Sequence, residues 1–261
     1  MKQFCVFGNP IAHSLSPLMH NHAFLHLREK IGFCGFYGRY LLRDPARLRQ
    51  KFFDLSLSGA NITLPLKESA FAQSDVVEGI GAKIGAVNTW VLKNQKIYGY
   101  NTDAPGFYQT IKDLSCERFL ILGAGGSARA IATILQEKGK KVCILNRSAT
   151  RLESLRSDFA CVLPGELEDW AFDMVVNTTS ASMQGVLPME EELLAEIFSH
   201  ASHAYELLYG MQTPFLQLAD RLGLQCTDGR EMLIAQGALA FELFCGRELK
   251  EAFPIMQEAL L

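Results

Sequence analysis

The chain has 261 residues, 49% of them hydrophobic, enough for one large domain or two smaller ones around a sizeable core. Its 25 basic and 28 acidic residues give a net charge of −3, without the basic field that nucleic acid requires and without an acidic tail. Seven cysteines at 5, 34, 116, 143, 161, 226 and 245 include no C-x-x-C pair, which favours free thiols in a reducing compartment. No apolar run is long enough to span a bilayer and the opening residues lack a signal-peptide pattern, so a soluble cytoplasmic protein is expected.

"FCVFG" (4–8) predicts a first strand. "SPLMHNHAFLHL" predicts a helix, with Ser16 as its N-cap and Pro17 at its first position. "FYGRYLL" is strand-like and "PARLRQKFFDL" has helical spacing. "ANITLP" reads as a buried strand closed by its proline, and a short helix begins near Lys67. Residues 88–101, "NTWVLKNQKIYGYN", predict a hairpin turning at Asn94-Gln95. From Glu117 to Ser148 a strand, a Gly-rich turn, a helix closed by Gly139 and a second strand fill the length of a βαβ unit. "FDMVVN" (172–177), "HAYELLY" (203–209) and "LQCT" (224–227) read as further strands, and the C-terminal stretch is helical. Strands alternating with helices imply a mostly parallel sheet with crossover helices. Turns at Asp103-Ala104-Pro105 and Asp228-Gly229 are the candidate boundaries.

Five features carry chemistry. "GAGGSA" (Gly123, Ala124, Gly125, Gly126, Ser127, Ala128) fits G-x-G-x-x-A between a strand and a helix. There the glycines allow a tight turn and close backbone approach to a diphosphate, which the free N–H groups of the helix N-terminus can bind. The second strand ends in Asn146 and Arg147, followed by Arg151, where an NAD site would carry a carboxylate. Guanidinium groups there suit a 2′-phosphate, although exposed arginines are also common. Ser14 and Ser16 flank a helix start, a ready carboxylate site or simply a cap. Lys67 and Asp103 are opposite charges at the ends of strand-like segments, candidates for catalysis or for surface charge. Gln236 is an amide in the apolar helix "MLIAQGALAF", satisfied by protein groups or by a polyhydroxylated ligand. His13, His20, His22 and His26 crowd the first helix, but no carboxylate or thiol completes a metal set, and no metal is expected.

Taken together, "GNPIAHSLSPLMHN", "GANITLPLK", "GAVNT", "GYNTDAPGF", "GAGGSARA", "NRSATR", "NTTSASM", "YELLYGMQTPFL" and "DGREMLIAQGALAFELFCG" resemble, in order and nearly end to end, the shikimate dehydrogenase family. The resemblance implies an α/β fold of two domains with the active site in the cleft between them. One is an N-terminal α/β substrate domain with a mostly parallel sheet, residues 1–103 completed by C-terminal helices 231–261. The other is a Rossmann dinucleotide-binding domain, residues 104–230. It implies reversible, NADPH-dependent reduction of 3-dehydroshikimate to shikimate, with Lys67 and Asp103 as the catalytic pair. Substrate contacts implied are Ser14, Ser16, Thr63, Asn88, Tyr209 and Gln236. Implied cofactor contacts are the Gly-rich turn, the patch Asn146, Arg147, Ser148 and Arg151, and Thr178, Leu207 and Gly229. Expected partners are the small-molecule substrate and NADP(H), with neither nucleic acid nor membrane, in a monomer or homodimer. Three positions depart from the family pattern: Ser182 replaces a usual Gly, Glu206 a usual Asp, and Gly210-Met211 stands where a Pro often follows the Tyr. Alternatives are a quinate/shikimate dehydrogenase with relaxed cofactor use, a folate-type methylene dehydrogenase, against which "SLSP" and "NTD" argue, and a non-catalytic NADP-binding regulator.

Overall fold

The computed structural model describes all 261 residues, in two units: residues 1–109 with 233–261, and residues 110–232. The first unit holds strands β1 (Lys2–Gly8), β2 (Gly35–Leu41), β3 (Gly59–Ile62), β4 (Val76–Val77), β5 (Thr89–Lys93) and β6 (Lys96–Tyr100), in the spatial order β2-β1-β3-β5-β6-β4. Strand β1 runs parallel to β2 and β3, and β4 parallel to β6, while β5 is antiparallel to both β3 and β6. Its two faces follow from the period of two along β1. Phe4 and Val6 join a core with Phe24, Tyr37, Phe241 and Phe244 beneath helices Ser16–His26, Arg230–Cys245 and Ala252–Glu258. Cys5 and Phe7 face the other way, into a core with Phe52, Ile62 and Trp90 beneath helices Leu48–Asp54 and Lys67–Gln73. Burial on both faces explains why β1 is a near-continuous apolar run and not an alternating one.

The second unit holds β7 (Arg118–Leu122), β8 (Lys141–Leu145), β9 (Ala160–Val162), β10 (Met174–Asn177), β11 (His203–Glu206) and β12 (Gln225–Thr227). All five pairings are parallel, in the order β12-β11-β10-β7-β8-β9. This is the doubly wound dinucleotide-fold order, which reverses direction between β7 and β10. Strands β7 and β10 are almost wholly buried, and helix Gly126–Glu137 packs over the turn between β7 and β8.

Several expectations shift. The hairpin of β5 and β6 turns at Asn94-Gln95 as expected, both in the left-handed region at φ 49° and 63°, the conformation of a two-residue turn matched to strand twist. The strand in "ANITLP" ends at Ile62, because the chain turns at Thr63 with Leu66 N donating to Thr63 O at 2.9 Å. Lys67 is the first residue of a helix, Lys67–Gln73, as expected, and lies past the end of the strand. Ser16 is not the N-cap: it is the first helical residue after Leu15, and its N–H donates to Ser14 Oγ at 3.3 Å. "HAYELLY" is extended only to Glu206, and β4 and β9 are strands too short to leave a periodic trace. Asp103-Ala104-Pro105 is the first turn of helix Asp103–Ile111, where proline is tolerated, and Asn101 Oδ1 accepts from Ala104 N there. The two units meet along the chain inside that helix and inside helix Arg230–Cys245, at residues 109/110 and 232/233.

Candidate functional site

In the first unit the segments after β3, just before β5 and after β6 bring three expected residues together. Lys67 Nζ lies 2.6 Å from Asp103 Oδ2, and Asn88 Nδ2 donates to Asp103 Oδ1 at 2.8 Å. The carboxylate is thus held at both oxygens, one by a cation and one by an amide. Asn88 is itself fixed: its Oδ1 accepts from Thr102 N at 2.8 Å and from Thr89 Oγ1 at 3.0 Å. The Lys67 and Asp103 side chains keep 19% and 16% of their surface exposed, so a small molecule can reach both. An ammonium with two N–H bonds free, beside an ordered carboxylate, can donate a proton to a developing oxyanion.

Ser14 and Ser16 stand at the start of helix Ser16–His26, and the Arg39 guanidinium fastens this turn by donating to Ser14 O at 2.9 and 2.5 Å. The Tyr37 phenol donates to Asn61 Oδ1 at 2.6 Å, and Asn61 Nδ2 donates to Thr89 Oγ1 at 3.0 Å. A buried relay therefore runs from Tyr37 through Asn61, Thr89 and Asn88 to Asp103 and Lys67. Burial pushes the Tyr37 phenol well above its ordinary pKa, so it stays a donor. His20 lies flat on the Tyr37 ring, centroids 4.3 Å apart, with both ring nitrogens buried and unpartnered. Burial lowers its pKa to about 3, so the imidazole is neutral. None of Tyr37, Asn61 or Thr89 carries a sequence-predicted role. Their only trace is polar side chains inside otherwise apolar strands.

Thr63 sits after β3 with its methyl against Gly8, and its hydroxyl makes no hydrogen bond. Gln236 is only half-buried; its Nε2 donates to Leu233 O at 2.8 Å within its own helix, which leaves its carbonyl oxygen open. Gly106 packs directly on it, since a Cβ there would lie 2.8 Å from Gln236 N. Gln236 makes no hydrogen bond to the Lys67–Asp103 pair. Tyr209 belongs to the second unit, where partial burial raises its pKa.

In the second unit, β7 runs into the turn Gly123–Gly125. Gly123 has φ +108°, and a Cβ on it would meet Thr178 Oγ1 at 2.8 Å. Thr178 is pinned there by donating to Leu122 O at 2.7 Å. Nothing lies within 4 Å of where Cβ atoms of Gly125 and Gly126 would stand, so the backbone N–H groups at the helix start face open space that a diphosphate can fill. Ala128 is fully buried, which lets the helix sit close on the sheet. Past β8, Asn146 Nδ2 donates to Ser148 O at 3.0 Å and shapes the loop. Arg147 and Arg151 are exposed, and no carboxylate pairs with either. No acidic side chain occupies the ribose position, and the donor set fits a 2′-phosphorylated dinucleotide. Leu207 and Gly229 are in contact: a Cβ on Gly229 would collide with the Leu207 carbonyl. Asn177 and Glu206, which close β10 and β11, are buried polar groups whose function the sequence did not reveal.

Comparison with known proteins follows the same division. Residues 6–90 match the family model for the shikimate dehydrogenase substrate binding domain, and residues 108–190 match that for shikimate / quinate 5-dehydrogenase. The NADP(+) shikimate dehydrogenase of Helicobacter hepaticus is 49% identical over 93% of this chain and 90% of its own length. That of Helicobacter pylori (strain P12) is 46% identical over 98% of both. Shikimate dehydrogenase from Aquifex aeolicus superposes with a TM-score of 0.86 at 31% identity, covering 100% of this chain and 97% of that one. Shikimate 5-dehydrogenase from Thermus thermophilus, solved in complex with NADP(H) and shikimate, gives 0.83 at 34% identity, covering 99% and 100%.

Proposed function

Because the chain belongs to the shikimate dehydrogenase family, we propose that it catalyses the reversible, NADPH-dependent reduction of 3-dehydroshikimate to shikimate, with Lys67 and Asp103 as its catalytic pair. The observation that carries this reading is the Lys67 ammonium 2.6 Å from a carboxylate that Asn88 holds from the other side. Bound NADPH supplies a hydride to the C3 carbonyl carbon. As negative charge grows on the carbonyl oxygen, Lys67 stabilises it and passes it a proton, leaving a neutral amine that is reprotonated from solvent. Asp103 aims the ammonium and accepts a hydrogen bond from a ring hydroxyl. Ser14 and Ser16 donate to the substrate carboxylate. Thr63, Asn88, Tyr209 and Gln236 supply the remaining polar contacts to the ring, the open hydroxyl of Thr63 and the open carbonyl of Gln236 being suited to hydroxyl partners.

The first unit is the substrate domain in this reading, and the second is the cofactor domain. The Gly123–Ala128 turn holds the diphosphate. Asn146, Arg147, Ser148 and Arg151 hold the 2′-phosphorylated ribose, and Thr178, Leu207 and Gly229 line the nicotinamide side. No helix is long and apolar enough to cross a membrane, and all seven cysteines are free thiols, which suits a reducing compartment; in this reading the enzyme is cytoplasmic and works as a monomer or homodimer. The test is a spectrophotometric assay of purified protein with shikimate and NADP⁺, following the reduced cofactor. Turnover with shikimate and NADP⁺ is expected. Faster turnover with quinate or with NAD⁺ would replace this reading with a broader quinate/shikimate dehydrogenase.

A further inference from the structure

Glu206 closes β11 at 1% exposure. Burial pushes its pKa up, while four donors pull it down. Ser182 Oγ lies 2.5 Å, Asn177 Nδ2 2.8 Å and Thr213 Oγ1 3.4 Å from Oε2, and Leu208 N lies 3.1 Å from Oε1. These donors come from two separate loops. Asn177 and Ser182 frame the loop after β10; Leu208 and Thr213 frame the loop after β11. Each loop carries a residue expected at the cofactor. Asn177 Oδ1 accepts from Thr179 N at 3.0 Å and from Thr179 Oγ1 at 2.8 Å, which fixes the residue following Thr178. Leu208 directly follows Leu207. A further bond, Asn177 Nδ2 to Ser182 Oγ at 3.1 Å, closes the triangle.

Ser182 and Glu206 thus tie the two loops to one another. We infer that Ser182 and Glu206 are a coupled pair of positioning residues that set the loops bearing Thr178 and Leu207 for cofactor binding. Neither touches substrate or cofactor. Shortening Glu206 alone withdraws the acceptor from Ser182 and strands a buried hydroxyl; removing Ser182 alone takes the shortest bond from a carboxylate that water cannot reach. Neighbours in one hydrogen-bonded network are where additivity fails.

This inference rests on the proposed dehydrogenase reading for its kinetic arm only; the affinity arm needs no turnover. Wild type, Ser182→Gly, Glu206→Asp and the double variant are compared by calorimetric NADP⁺ binding without shikimate, by KM for both substrates, and by thermal melting. Each single change is expected to weaken NADP⁺ about tenfold while the shikimate KM stays within about twofold. The double variant is expected to recover at least about threefold of the product of the two losses. Independent, multiplying losses would overturn the pairing. Equal loss for both substrates, tracking the melting temperature, would reduce the pair to a structural staple. Glu206→Gln, which keeps shape and removes charge, serves as the affinity arm if Glu206→Asp fails to fold. A protein that binds NADP⁺ but turns over no shikimate would count against the proposed reaction and leave the pairing test intact.

Discussion

Replacing Lys67 by Ala removes the only cation beside Asp103. The gross attraction across 2.6 Å is about 6 kcal/mol at an effective dielectric of 20, but most of that offsets the cost of taking both charges partly out of water. Side chains 19% and 16% exposed let solvent replace part of the lost contact, and Asn88 still donates to Oδ1. The net stability loss should therefore be modest, about 1–2 kcal/mol. The kinetic loss is larger, because the ammonium acts on charge that exists only as the hydride arrives. Proton-transfer catalysis is worth ~10²–10⁴-fold, about 3–5 kcal/mol of barrier. At saturating shikimate and NADP⁺, kcat should fall at least ~100-fold while the shikimate KM moves only a few-fold. Circular dichroism confirms that the variant is folded. A Lys67→Ala enzyme with near-normal kcat at neutral pH would show that the proton comes from elsewhere and that the assigned pair is not the catalytic one.

Arg147→Ala should weaken NADP⁺ about tenfold or more and NAD⁺ less than about twofold, with the gap closing as salt rises, since a charge-assisted contact to phosphate exceeds an ordinary exposed ion pair; parallel losses for the two cofactors would mean that Arg147 only supports its loop. Ser14→Ala combined with Ser16→Ala should chiefly raise the shikimate KM, each lost bond to the carboxylate being worth ~1.5–3 kcal/mol, and a substrate analogue without a carboxylate should be indifferent; a similar loss for both ligands would leave the serines as helix-start residues. His20 gives a pH signature. Its folded pKa, about 3, lies below the ordinary 6.5, so above pH 6.5 it binds no proton in either state, and as pH falls from 6.5 toward 3 the unfolded chain gains a proton that the folded ring refuses. Its share of stability should then drop by up to about 1.4 kcal/mol per pH unit. Urea melts at pH 7 and pH 5 should show a shallower loss in His20→Phe than in wild type; equal slopes would show that the ring is protonated in place.

Local features were legible because they act locally. The strand, G-x-G-x-x-A turn and helix of the second unit lie within one short stretch, and Gly123 answers a steric demand from the loop beside it. Asn94-Gln95 declared a hairpin for the same reason. What stayed hidden depends on partners distant in the chain. Tyr37 and Asn61 are 24 residues apart, and so are Ser182 and Glu206. Periodicity marks Tyr37 as facing the core, but not that its hydroxyl begins the chain of bonds through Asn61 and Thr89 to Asn88. The helix start at Lys67 was legible, but not the turn at Thr63–Leu66 that ends the strand before it. The division into units was only approximately visible, since both changeovers fall inside helices, where composition does not change.

The first unit is written in two parts, with the whole of the second unit between them, and this sets an order in time. As the chain leaves a ribosome, residues 1–109 emerge long before residues 233–261. Phe4 meets Phe244 at 4.8 Å and Phe24 meets Phe241 at 4.8 Å, so until the last residues appear one face of the first sheet is covered only by helix Ser16–His26. The segment in between needs no such wait, because its six parallel strands and their helices are contiguous. Synthesis therefore reverses the usual N-terminal-first sequence: the later-emerging Rossmann unit can close its core while the earlier one is still open. A nascent chain stalled a few residues short of Phe241 would expose Phe4 and Phe24 to chaperones, and the final 29 residues act as the latch that ends that exposure.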